Sequence, residues 1–234
     1  MSNFDLKNRI LYEDNHIIVV VKLHGEISQG DKTNDVTLPD LIKDYIKKKY
    51  NKPGNVFLGV VHRLDRPVGG VMVFAKTSKA LKRLNAEFSN KTARKTYLAI
   101  TCAKPNPEQN KIKHFLEKNE KLNKSFVSDK SSAKSKEAIL RYKWLGDSDK
   151  YSLVEIELLT GRHHQIRAQM AHIGCVIKGD LKYGAKRSNP DGNLSLLAWK
   201  LSIKHPISNN EMFFTAPLPQ EQPWIELSKF LKED

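Results

Sequence analysis

The residues best suited to chemistry form one short segment, His62-Arg63-Leu64-Asp65-Arg66-Pro67-Val68-Gly69-Gly70, in which a single acid stands between two arginines. Flanking cations favour the charged form of a carboxyl and hold its pKa down. An acid kept ionised in this way suits a nucleophile or an anion-anchored base better than a general acid. The competing reading is an Arg–Asp ion pair that fixes a turn. A second dense segment is Leu159-Thr160-Gly161-Arg162-His163-His164-Gln165-Ile166-Arg167. Thr160 and Gly161 turn the chain from strand into helix and leave backbone N–H groups at the helix start. With Arg162 and Arg167 these groups make an anion site suited to phosphate or carboxylate; a helix N-cap with two surface arginines is the alternative. His62, His164 and His172 are not at metal-ligand spacing with an acid partner. Gly179-Asp180-Leu181-Lys182-Tyr183-Gly184 reads as a turn with an anchored tyrosine.

These residues need elements to hold them. The apolar run Val56-Phe57-Leu58-Gly59-Val60-Val61 predicts a buried strand, and Pro67, Gly69 and Gly70 a tight turn, so Asp65 is expected on a shaped loop at a strand end. Ile17-Ile18-Val19-Val20-Val21, Val71-Met72-Val73-Phe74-Ala75 and residues 95–101 predict further strands. Leu38, Leu41, Ile42, Tyr45 and Ile46 recur at helical spacing behind a Thr37/Asp40 capping box, and a second helix carries Leu81, Leu84 and Phe88 behind Thr77 or Ser78. Residues 165–172 predict a helix with Ile166, Met170 and Ile173 inward. Residues 138–142, the alternating Val154/Ile156/Leu158, residues 194–199 and residues 212–215 predict late strands, and a last helix carries Trp224, Leu227 and Leu231. Between residues 104 and 136, nine lysines face four acids and apolar residues are sparse. That stretch predicts exposed hairpins or loops, partly mobile, with an interdomain linker as the alternative. Many strands with fewer helices, and no regular βαβ alternation, predict an α+β domain on a largely antiparallel sheet.

The chain has 234 residues, enough for one large domain with a sizeable core. No run approaches the length a membrane span needs, and the first residues carry no secretory pattern. Two cysteines, Cys102 and Cys175, without C-x-x-C spacing fit a reducing cytoplasm and predict no structural zinc. Forty basic residues against 26 acids leave a net charge of +14, which favours a polyanionic partner such as nucleic acid. An ionised acid, nearby arginines, an aromatic candidate and a basic surface describe a site for chemistry on a nucleotide without metal or cofactor.

In order along the chain, residues 62–70, Lys95-Thr96-Tyr97-Leu98-Ala99, residues 160–167, residues 179–184, and His205-Pro206 with Ala216-Pro217-Leu218-Pro219 resemble the motifs of the RluA-type pseudouridine synthases. The resemblance implies the pseudouridine synthase fold: a central mixed, largely antiparallel sheet flanked by helices and loops. It implies isomerisation of a uridine to pseudouridine in ribosomal or transfer RNA, with no cofactor and no metal. Asp65 is then the nucleophile, or the base that starts ribose deprotonation. Tyr97 stacks on the target base and helps proton transfer, and Arg167 pairs with Asp65. His62, Arg63, Arg66, Arg162, His164 and Gln165 are the expected RNA contacts. The alternative is a catalytically silent RNA-binding protein of the same fold. Two departures stand out. The family's usual Lys-Pro is Lys22-Leu23 here, and the pattern begins close behind Met1, which predicts one catalytic domain over residues 1–234 without a preceding S4-like RNA-binding domain. A cytoplasmic monomer that grips RNA with its own surface is the resulting expectation, with residues 104–136 as part of that surface.

Overall fold

The computed structural model describes residues 6–30, 35–128 and 130–231. Along the chain run β1 (Ile10–Glu13), β2 (Ile17–Lys22), α1 (Leu38–Lys49), β3 (Gly59–Val60), β4 (Gly69–Ala75), α2 (Ser78–Ser89), β5 (Arg94–Thr101), β6 (Gln109–Asn119), β7 (Lys124–Ser128), β8 (Lys136–Asp147), β9 (Ser152–Leu158), α3 (Gln165–His172), β10 (Leu196–Lys204), β11 (Glu211–Thr215) and α4 (Trp224–Leu227). They fall into two compact units, one of residues 1–93 and 200–216, the other of residues 94–199 and 217–234.

In the first unit β2 pairs antiparallel with β1 and, from Ile17↔Ala75 to Lys22↔Gly70, with β4. Every residue of β4 is buried, so both its faces are covered, and its unbroken apolar run is what that position demands. β10 pairs with β11 from Lys200↔Thr215 to Lys204↔Glu211. The capping box of α1 forms as its sequence predicts: Thr37 Oγ1 accepts from Asp40 N–H, and the Asp40 carboxylate accepts from Thr37 N–H. Leu38, Pro39, Ile42 and Ile46 make its buried face. α2 is capped by Thr77 and buries Ala80 and Leu84.

The run at residues 56–61 does not form the buried strand its composition suggests. Only Gly59 and Val60 pair, with Ala75 and Phe74, and Phe57 is 49% exposed. The ladder stops because the His62 imidazole takes its next rung: Nε2 accepts the Val73 N–H at 3.2 Å, while the ring stacks on Phe88. The turn also lies earlier than expected. Val68 N–H closes on Asp65 O at 3.0 Å, and Gly69 and Gly70 already belong to β4. Gly70 has φ +128°, a conformation that side chains resist.

In the second unit the strand order is β5-β9-β8-β6-β7, every pairing antiparallel. The lysine-rich stretch is a hairpin of β6 and β7, not a linker. Its outward residues are exposed, while Ile112, Leu116 and Ser125 turn inward. Leu116 packs with Ala138 and Ala168, and Val127 and Tyr183 lie against them. No helix of the described residues is long and apolar enough to cross a membrane.

Glu13 ties several elements of the first unit together. Its carboxylate accepts from Lys49 and Lys76, each at 2.7 Å, and from the hydroxyls of Tyr45 and Tyr50. Burial alone would raise this carboxyl, but the bonds from Lys49, Lys76 and Tyr50 outweigh it and pull its pKa down to about 2 from 4.5. A depressed carboxyl stabilises the fold above its unfolded pKa and loses that contribution as pH falls through its folded one. Glu13→Gln is expected to cost about 2 kcal/mol at neutral pH. It should also flatten the decline in stability between pH 4.5 and about 2. Urea denaturation across that range measures both.

Candidate active site

Asp65 sits half-buried on the loop between β3 and β4, in the first unit. The backbone of this loop is held at almost every residue. The Ser28 hydroxyl, itself buried, donates to Leu64 O at 2.7 Å and accepts from Leu64 N–H at 3.1 Å. Lys22, 1% exposed at the end of β2, sends its ammonium to Asp65 O at 3.3 Å, Arg66 O at 3.0 Å and Val68 O at 2.7 Å, and to Leu23 O at 3.1 Å. Burial pushes the pKa of Lys22 down to about 8, while the charges of Glu26 and Asp65 favour its protonated form and Arg66 opposes it. Gly25 N–H donates to Arg66 O at 2.9 Å and Arg66 Nε returns a bond to Gly25 O at 3.1 Å. A Cβ at position 69 would stand 2.9 Å from the His24 ring and 3.2 Å from Lys22 O, so a side chain where the loop enters β4 would force that ring to move.

The two arginines beside Asp65 are exposed. Arg66 also bonds Asp35, and Arg63 reaches Gln29. Ion pairs at such exposed positions contribute little to stability. His62 is different: with its Nε2 engaged by Val73 N–H, it works as a piece of the fold.

Tyr97, Arg162, His164, Gln165 and Arg167 belong to the second unit. Tyr97 lies on β5 opposite Ile156 and is 7% exposed. Two residues before it, Lys95 is buried deeply enough for desolvation to lower its pKa, and its ammonium lies 3.7 Å from where a Cβ on Gly161 would stand. α3 spans the residues its pattern predicts, yet its start is not an open anion site. Gln165 Oε1 accepts from Thr160 Oγ1 at 2.8 Å and from Arg162 N–H at 3.0 Å, and Gln165 Nε2 donates to Ile139 O. Gln165, expected to touch RNA, is therefore an internal cap, 3% exposed. One anion facing Arg167 is the protein's own: Nε and Nη2 hold the two oxygens of Asp180 at 2.7 and 2.8 Å, with both side chains almost fully buried. Arg162 is half-buried and gives Nε to Glu137 O.

His164 occupies the left-handed region at φ 52°, stacks on His163 at 3.8 Å and shares a hydrogen bond with Tyr183 Oη at 3.1 Å. Burial, followed by the charges of Arg167 and His163, pushes its pKa down to about 2, so the ring is neutral and internal, not the surface RNA contact its motif implies. Tyr183 is the anchor that residues 179–184 predict. Its hydroxyl accepts from Ser125 N–H at 2.8 Å and donates to Ser125 O at 3.1 Å, and the Arg167 guanidinium lies 5.2 Å from its ring centre. Ser125 Oγ also donates to His163 O, so the β6–β7 hairpin is fastened to the segment that opens α3.

Sequence reasoning missed Lys22 and Ser28, which hold the Asp65 loop in the first unit, and Asp180, which holds Arg167 in the second. Asp180 had a signal in its motif; the other two act on backbone atoms, and side-chain pattern does not show that. Among the described residues no group of three or more His, Cys, Asp or Glu stands together as a metal site requires.

Residues 16–172 match the family of RNA pseudouridylate synthases. The chain is 31% identical to the ribosomal large subunit pseudouridine synthase D of Zymomonas mobilis subsp. mobilis, over 93% of its own length and 71% of that protein. It is 32% identical to the ribosomal large subunit pseudouridine synthase C of Rickettsia bellii, over 90% and 68%. The solved structure of human RNA pseudouridylate synthase domain containing 4 has the same fold, with a TM-score of 0.81 at 22% identity over 96% of this chain and 93% of that one. The chain belongs to the RNA pseudouridylate synthase family and carries its α+β fold. It is an RNA pseudouridine synthase, an isomerase.

Arg167→Lys replaces a two-pronged bond to a buried carboxylate by a single one. It is expected to cost about 2–4 kcal/mol, measured by equilibrium urea denaturation.

Proposed function

We propose that this enzyme isomerises a specific uridine in ribosomal or transfer RNA, with Asp65 as its catalytic nucleophile or base. The N-glycosidic bond breaks, the base turns, C5 bonds to the sugar carbon, the C5 hydrogen leaves as a proton and N1 takes one up. Asp65 attacks the sugar carbon as nucleophile and is released when C5 bonds there, or takes a ribose proton as base and returns it when C5 bonds. The observation that carries the reading is the Asp65 loop itself. A lone exposed ion pair does not need a buried ammonium, a buried hydroxyl and a return bond from Gly25 to fix the backbone on both sides of it. Immobilising a carboxylate in advance is how positioning lowers a barrier. A protein that only bound RNA would gain nothing from holding an acid among phosphates.

Tyr97 is assigned to stacking on the uracil and to proton transfer, and Arg167 to pairing with Asp65; the Asp180 clamp gives that guanidinium a fixed plane. Arg63, Arg66 and Arg162 are assigned to the RNA backbone or to turning out the base, since a stacked uridine hides its sugar bond. The names of the relatives favour ribosomal RNA as substrate. The chain is assigned to act as a single catalytic domain and a monomer, without metal or cofactor. Its free cysteines, Cys102 and Cys175, fit the cytoplasm.

The test is tritium release from RNA labelled at uracil C5, prepared from cells lacking this gene. Asp65→Ala is expected to abolish release while RNA binding stays equal or tightens; turnover by this variant would overturn the role of Asp65. Changing Lys111, Lys113, Lys118 and Lys121 to Gln on the hairpin should weaken RNA binding. The plot of log affinity against log salt should become shallower by about 2–3. Lys113 and Lys118 are already bonded to Glu137 and Glu120, so the loss should fall short of four full contacts. An unchanged slope would place the RNA elsewhere.

A further inference from the structure

The turn after β2 carries a carboxylate to which the reaction assigns no part. Glu26 Oε2 accepts the N–H of Leu23 at 2.8 Å and, at 2.8 Å, Nη1 of Arg9, whose side chain is 8% exposed. The bond to Leu23 exists only because position 23 has an N–H. It fixes the turn of residues 23–26 from inside, and both grips on the Asp65 loop start from this turn. Lys22 stands at its entrance with three loop carbonyls, and Gly25 exchanges two bonds with Arg66.

Resting on the reading of Asp65 as the catalytic nucleophile or base, we propose that Glu26 is a positioning residue for that aspartate: braced by Arg9, its carboxylate closes the turn that seats Lys22 and Gly25 against the backbone of the Asp65 loop. Its charge has a second effect. Four carbonyl oxygens surround the Lys22 nitrogen, and only the ammonium form, with three N–H groups and no lone pair, suits them. The charged groups around it are Glu26 and, behind it, Arg9 from its own side, and Asp65 and Arg66 from the loop; the His24 ring lies beside Gly69. Of these, Glu26 and Asp65 hold the proton on Lys22, against its burial.

Glu26→Gln keeps an acceptor for the Leu23 N–H and deletes the charge; Glu26→Ala deletes both. The experiment is single-turnover tritium release from C5-labelled total RNA by the full chain, from about pH 6.5 to about 9.5. Filter binding of the same RNA and the melting temperature are followed in parallel. Wild type should lose rate on the alkaline side. Glu26→Gln should lose it about one pH unit earlier, with a rate down about tenfold in that window and RNA affinity unchanged. Glu26→Ala should be slow at every pH. The melting temperature separates positioning from mere stability. A buried lysine with a depressed pKa binds fewer protons than in the unfolded chain, so releasing its proton adds stability as pH rises. Rate should therefore fall where the melting temperature does not. A Glu26→Gln profile that superimposes on wild type, or rate and melting temperature lost together, would overturn the proposal. Asp65→Ala is run alongside. Release by that variant would refute the catalytic reading, whereas no release from it beside a wild-type Glu26→Gln profile would refute the role of Glu26 alone.

Discussion

A lysine ammonium that is 1% exposed is tolerated only where oxygen atoms replace the water it has lost. At Lys22 those oxygens are backbone carbonyls, three of them on the Asp65 loop. The arrangement constrains both partners. The loop cannot move away without leaving a buried charge unsolvated, and the lysine cannot turn without leaving carbonyls unpaired. The geometry of the acid is thus set by a side chain that touches none of its carboxylate chemistry. Ser28, Gly25 and the glycine at position 69 complete a cradle whose contacts are almost all to main-chain atoms.

The second unit solves a similar problem with a different pair. Arg167 and Asp180 are both buried, and an ion pair removed from water holds only if its geometry is good and its other polar atoms are satisfied. Here the guanidinium meets the carboxylate through two bonds and lies near the Tyr183 ring, while Tyr183 Oη pairs both backbone groups of Ser125. The consequence reaches an exposed element. The β6–β7 hairpin has few apolar contacts of its own, and its lysines repel one another, yet Ser125 ties it to the residues that open α3. A charged hairpin anchored in this way presents its lysines in a fixed place.

The strands, the capping box of α1 and the full span of α3 were legible because they follow from periodicity and local hydrogen bonding, both written in neighbouring residues. The placement of Asp65 on a loop beside a strand was legible from the turn residues around it, and the exposure of the lysine-rich hairpin from its composition. Residues 56–61 misled because a side chain, His62, replaces a ladder bond, and apolar composition says nothing of that. Gln165 and His164 misled for a related reason: a polar residue in a motif reads as a ligand contact, whereas these two satisfy the polar groups of the fold. Arg167 was legible as an anion binder, and one anion that it holds, Asp180, lies thirteen residues further on. Lys22 and Glu26 were not legible in these roles, since their partners are carbonyl and amide groups common to every residue.

Charge in this enzyme divides by depth. Exposed lysines and arginines act through the field they make together, which salt screens and which any polyanion feels. The buried charges, Arg9, Glu13, Lys22, Arg167 and Asp180, with the half-buried Glu26, act over single bond lengths and are better shielded from that screening. A reaction that rearranges one nucleotide without net hydrolysis draws on both kinds. On the reading proposed above, the outer charges bring in a long anionic substrate without regard to its sequence, and of the inner ones Lys22, with Glu26 behind it, holds the loop of the proposed catalytic aspartate so that little reorganisation remains when the sugar bond breaks. On that reading salt governs how much RNA is bound, and the buried charges beneath the Asp65 loop govern how fast the bound RNA reacts. The separation arises because a charge that shapes a loop must lie beneath it, whereas a charge that gathers RNA must lie above the surface.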